Sequence, residues 1–182
     1  GTASDTFDIT VANTNDAPSV TSDAVEIADD GVADLSDINL SVTDVDNANF
    51  NGGSVTVSSD NPFAGATMFT LDSGFYLAGN AILADKAILG TATDEVIGTW
   101  STATNGSGDA TSTTFTFNNT KVTAAVVESL VDHLNLGATV GSLDAEITVT
   151  ITDPNGGAGS VTNVFDVGGD AVIGSFESYA QE

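Results

Sequence analysis

The sequence predicts an all-β fold, an antiparallel sandwich with one short helix, on three observations. Apolar and polar residues alternate over many short stretches, the period of strands with one buried face. Clusters of Gly, Asn, Asp and Ser punctuate those stretches at turn spacing. Apolar side chains recur at helical spacing in one place only, Val126, Val127, Leu130, Val131 and Leu134. Strands of this kind bury their apolar faces by packing sheet on sheet.

Taken in order, residues 6–11 place Phe7, Ile9 and Val11 on one face, and Thr6, Asp8 and Thr10 on the other. The polar segment from Ala12 to Pro18 follows, and Pro18 ends any pairing. Residues 1–18 therefore read as the last strand of a preceding repeat plus an inter-module linker, 19–168 as a sandwich module, and 169–182 as a tail or the start of another linker. The chain starts without a methionine, in keeping with a piece of a longer protein. Within the module a strand ends at Val42, and Ser54 to Ser58 alternates again. Further strands are expected at 68–71, 75–83, 96–101, 113–117 and 147–152. The helix is expected over 124–134, with Thr123 as its N-cap and Glu128 and Asp132 facing outward.

The 182 residues are 41% hydrophobic, enough for a substantial core. Charge is the extreme property. Lys86 and Lys121 are the sole strongly basic side chains against 26 acids, for a formal net charge of -24. Such a field repels nucleic acid and anionic membranes, and it opposes compaction unless cations or salt neutralise it. Asp outnumbers Glu by 20 to 6, a bias towards cation-binding loops. The absence of cysteine excludes disulfides, zinc-thiolate sites and thiol nucleophiles. No apolar run is long enough to span a membrane, so membrane insertion is not expected.

The stretch 41–58 carries the clearest chemistry. Asp44, Asp46, Asn47 and Asn49 precede the turn Asn51-Gly52-Gly53, between two strands. Calcium takes six to eight oxygens from carboxylates, amides and backbone carbonyls, and Asp-x-Asp on a tight loop can aim two carboxylates at one point. The same residues are good turn formers, so the stretch alone reads equally as a plain turn. Asp29-Asp30-Gly31 and Asp34 to Asp37 are equally readable as polar turns, and Gly156-Gly157-Ala158-Gly159 as a glycine turn. Catalysis finds little support. His133 is solitary on the helix, no spacing singles out a pair of carboxylates, and an enzyme is not expected. Phe75, Tyr76 and Trp100 could stack on a sugar or a peptide, although core burial is the commoner fate of such residues.

The order of motifs resembles the cadherin-like repeats of large bacterial surface adhesins of the repeats-in-toxin type. Asn13-Thr14-Asn15-Asp16-Ala17-Pro18 is similar to their calcium linker. Glu26, Val42-Thr43-Asp44-Val45-Asp46, the helix, and the strand ending in Thr152-Asp153 before Gly156-Gly157 follow in the expected order. The resemblance implies a cadherin-like or Ig-like β-sandwich that binds Ca2+ through Asn13, Asn15, Asp16, Glu26, Asp44 and Asp46, with Asp153, together with Asp144 at the strand entry, a second-rank candidate. It further implies a monomeric, secreted or cell-surface module whose partners are adjacent modules of the same chain. Two alternatives remain open: a module that binds a glycan or peptide, and an accessory domain of a secreted polysaccharide-degrading enzyme. The junction motif is not repeated near the C-terminus, and residues 60–117 match no part of the resemblance.

Overall fold

The computed structural model describes residues 1, 14–23, 33–142 and 144–165. The predicted strand at 6–11, the residues Asn13, Glu26 and Asp29 to Gly31, and the tail at 169–182 lie outside the described residues. The strands are β1 (Ser19–Thr21), β2 (Ala33–Asp34), β3 (Ser41–Thr43), β4 (Ser54–Phe63), β5 (Phe69–Leu71), β6 (Phe75–Ala78), β7 (Ala81–Ala84), β8 (Glu95–Thr104), β9 (Ala110–Phe117), β10 (Leu134–Leu136), β11 (Ala145–Thr152) and β12 (Ala158–Phe165). Two helices interrupt them, α1 (Lys86–Leu89) and α2 (Ala124–Asp132), with single 3-10 turns at Leu35–Ile38 and Val140–Ser142.

Seven strands form one antiparallel sheet in the order β12-β11-β4-β9-β8-β7-β6. Its alternation sends Val55, Val57, Phe115, Phe117, Ile147, Val149 and Ile151 to one face, where all are buried. The opposing layer consists of the β1-β3 pair, the β2-β10-β5 sheet and α2, which contribute Val42, Leu136, Leu130 and Val131 to the same core. The fold is the expected all-β sandwich with a short helix.

Local chemistry accounts for the departures. The expected strand at 75–83 is a hairpin, because Gly79 adopts a φ of 63° and turns β6 back onto β7 with Ala78 opposite Ala81. Helix α2 stops at Asp132, and Leu134 belongs to β10. Leu134 and Leu136 satisfy period two as well as Leu130 and Leu134 satisfy helical spacing. Thr123 holds the N-cap position with extended backbone but makes no side-chain cap bond. Glu128 does not face outward: its carboxylate accepts the Val42 N–H at 2.6 Å and ties α2 to β3. The unexpected helix α1 is one turn, started by the Asp85 side chain on the Ala87 N–H and ended by Gly90 at φ 63°.

The other face of the large sheet presents side chains in rows across the strands. One row runs Ala81, Thr99, Thr116, Ser54, Thr152, Ala158, and the next runs Ser101, Thr114, Thr56, Thr150, Ser160. Thr56 and Thr114 share a hydrogen bond at 2.9 Å, as do Thr148 and Thr162 at 2.8 Å in the row beyond. No charged residue lies in these two rows.

Candidate metal centre

Three segments meet at the end of the sheet where β11 hands over to β12. The first is the linker from Thr14 to buried Pro18, which leads into β1. Its position depends on two glycines. A Cβ on Gly157 would stand 2.5 Å from Asp153 Oδ2, 2.8 Å from Asn15 Nδ2 and 2.9 Å from Ala17 Cα, and one on Gly159 would strike the Pro18 carbonyl oxygen. Only a side chain of hydrogen lets the linker lie this close to the start of β12.

The second segment follows β3. Asp44 Oδ1 accepts the backbone N–H groups of Asp46 and Asn47, both at 2.9 Å, and so folds the loop around its own carboxylate. Asp46 in turn reaches the linker, where its Oδ2 accepts the Asp16 N–H at 2.6 Å. The third segment repeats the device. Asp153 Oδ1 accepts the N–H groups of Asn155 at 2.7 Å and Gly157 at 3.0 Å, while Oδ2 accepts from Asn15 Nδ2 at 2.8 Å.

Asp153 is 1% exposed. Burial alone pushes its carboxyl up, but the hydrogen bonds from Asn15 and from the backbone of Asn155, Gly157 and Gly156 outweigh that and hold it below the usual carboxylate range. This buried carboxylate is kept ionised by hydrogen-bond donors, with no basic side chain among the causes of its shift.

Three amides stitch the segments together. Asn155 Nδ2 donates to Asn15 Oδ1 at 2.9 Å and to Asn47 Oδ1 at 3.1 Å, and Asn47 Nδ2 lies 3.3 Å from Asn15 Oδ1. Among the described residues no group of three or more carboxylates and imidazoles is close enough to hold a metal ion by itself. The cluster is mixed: Asp44, Asp46 and Asp153 supply carboxylates, and Asn15, Asn47 and Asn155 supply amides. A half-turn of an amide about its last torsion exchanges a donor for an acceptor. The same six side chains can therefore present either a closed hydrogen-bond net or a set of oxygens suited to a hard cation.

Of the expected ligands, Asn15, Asp16, Asp44, Asp46 and Asp153 come together here, Asp16 through its backbone. Asn13 and Glu26 lie outside the described residues. Asp144 and Asp153 flank opposite ends of β11, so of these two second-rank candidates Asp153 joins the cluster and Asp144 does not. Asn47 and Asn155 belong to the cluster and were not among the expected ligands. The signal for Asn155 was available: Asp153-Pro154-Asn155 before a glycine turn mirrors Asp44-Val45-Asp46.

The other singled-out residues have structural roles. His133 caps α2, with Nδ1 2.7 Å from the Ser129 carbonyl oxygen, and its ring meets Phe75 edge-on. Trp100 lies on the core side of its sheet, with its ring against Phe69 and its indole N–H donated to the Gly79 carbonyl at 3.0 Å. No helix among the described residues is long and apolar enough to cross a membrane. Comparison with known protein families, curated proteins and solved structures finds no match to this chain.

Proposed function

We propose that the chain is a calcium-dependent, cadherin-like module of a bacterial surface adhesin, which uses the cluster at its linker end to fix its orientation to a preceding module. The observation that carries this reading is the double tether of the linker. Asn15 binds the Asp153 loop and Asp16 binds the Asp46 loop, so one ion shared among them would set the direction in which the chain enters the sandwich. Calcium suits the donors, which are carboxylate and amide oxygens without sulfur or imidazole. Val45, between the two loop aspartates, is 83% exposed and offers an apolar contact where a neighbouring module would abut. On this reading the module acts outside the cell, as a monomer in a tandem array, and works as a stiff spacer rather than as an enzyme.

Calorimetric melting in chelator and in calcium tests the proposal. A ligand bound only by the folded state at a hundredfold excess over Kd adds about 2.7 kcal/mol per site. Asp46→Ala should abolish that gain. Asp60→Asn should keep it, since Asp60 serves the Glu146 N–H at 2.7 Å, far along the sheet, and the amide preserves that acceptor. Equal melting temperatures with and without calcium would refute the reading.

A further inference from the structure

At its β6 edge, the face of the large sheet that carries the two charge-free rows of Thr and Ser ends in an apolar row. Tyr76, Leu83 and Val96 are register partners across β6, β7 and β8. Phe75, Ile82 and Ile97 beside them point into the core, so this row points out. Tyr76 is 40% exposed and Val96 45%. The Tyr76 hydroxyl donates to Asp94 Oδ2 at 2.8 Å, and Asp94 Oδ1 in turn accepts the Lys86 N–H at 3.1 Å. The ring is thus anchored at its polar tip and remains part-exposed. Next to it begins the row of Thr99, Thr116, Ser54 and Thr152.

An anchored aromatic face with aliphatic neighbours suits the C–H face of a pyranose ring. A field of hydroxyls that both donate and accept suits the hydroxyls of the sugars that follow. Charge narrows the class: a chain of net charge -24, with the Asp94 carboxylate at the tip of Tyr76, repels uronates, sulfates and sialylated glycans, whereas a neutral glycan meets no such repulsion. At strand spacing the seven strands span about 29 Å, room for several sugar units. A second copy of the chain fits less well. It would bring two strongly anionic molecules together, each of net charge -24.

We propose that Tyr76, Leu83 and Val96, with the adjoining Thr99 and Thr116, form a docking platform for a neutral polysaccharide. The platform lies at the edge of the sheet opposite β12 and the linker, so its occupancy is independent of the calcium cluster. Calorimetric titration of the full chain with gluco-, manno- and galacto-oligosaccharides, and with alginate oligosaccharides and an extended peptide, tests this. One neutral series should bind at millimolar concentration or below, with little dependence on salt and no loss after chelation. Tyr76→Ala should weaken binding by about tenfold or more and Tyr76→Phe by far less. Thr116→Lys should weaken the longer oligosaccharides selectively, and it carries the test if Tyr76→Ala does not fold. The proposal is overturned if no neutral series binds, if Tyr76→Ala and Thr116→Lys both bind as the parent does, or if alginate or the peptide binds more tightly.

Discussion

Asp153 shows how much one side chain does in this molecule. It closes its own loop, fixes the linker through Asn15, and sits charged at 1% exposure. Asp153→Ala removes the acceptor of three part-buried donors, the Asn15 amide and the Asn155 and Gly157 N–H groups, so a loss of about 1–3 kcal/mol is expected in urea unfolding. Its carboxyl is held below the usual range, so the folded state is favoured by its ionisation above the ordinary carboxylate pKa, and that gain is lost as pH falls through the lower folded value. The stability gap between the parent and Asp153→Asn should therefore shrink on going from about pH 5 to about pH 2. Gly157→Ala should release the linker, seen as faster amide exchange at residues 15–17. Asp44 and Asp46 were legible in the sequence because Asp-x-Asp is a local pattern, whereas Asp153 was reached only through the order of motifs. The convergence of Asp153 with Asn15, 138 residues apart, is a product of topology.

At the scale of elements, the expected strands were read from alternation, two misassignments came where two periods agree or a glycine intervenes, and β1, β2 and β12 were not expected as strands. Leu134 was compatible with a helix and with a strand, and the strand ladder to Leu71 and the C-cap at His133 decide for the strand. Gly79 could sit within a strand by composition, yet a positive φ makes it a turn. The contact of Glu128 with Val42 had no sequence signal, since a Glu on the polar side of a helical wheel normally faces water. It joins α2 to the short strand β3, whose following loop carries Asp44 and Asp46. Glu128→Ala should cost about 1–3 kcal/mol by leaving the Val42 N–H without its acceptor, while Glu128→Gln keeps an oxygen and should lose less. Calorimetry should also show weaker calcium affinity in Glu128→Ala, because the loop is then less well positioned.

Over the whole molecule the dominant quantity is charge. With Lys121 bonded to Glu95 at 2.5 Å and Lys86 the other strongly basic side chain, most of the 26 acids lack a cationic partner. Sodium chloride should therefore raise the melting temperature gradually as it screens repulsion. Calcium should raise it at far lower concentration and reach saturation, and Asp46→Ala should retain the first response while losing the second. The arrangement of the chain at the β12 edge has a mechanical consequence. Pro18 lies by Gly159 and Ser22 bonds Asn163 at 3.2 Å, so β1 runs in the same direction as β12 and beside it. Tension that enters at the linker and leaves beyond Phe165 acts along both strands from opposite ends. All eight residue pairs of the β11-β12 ladder then carry the load together in shear, instead of opening one after another like a zip. A single-molecule pull along this axis should meet a high, sharp rupture force, and a pull through attachment points at Phe165 and Ala145, which peels the same ladder from one end, should meet a much lower one.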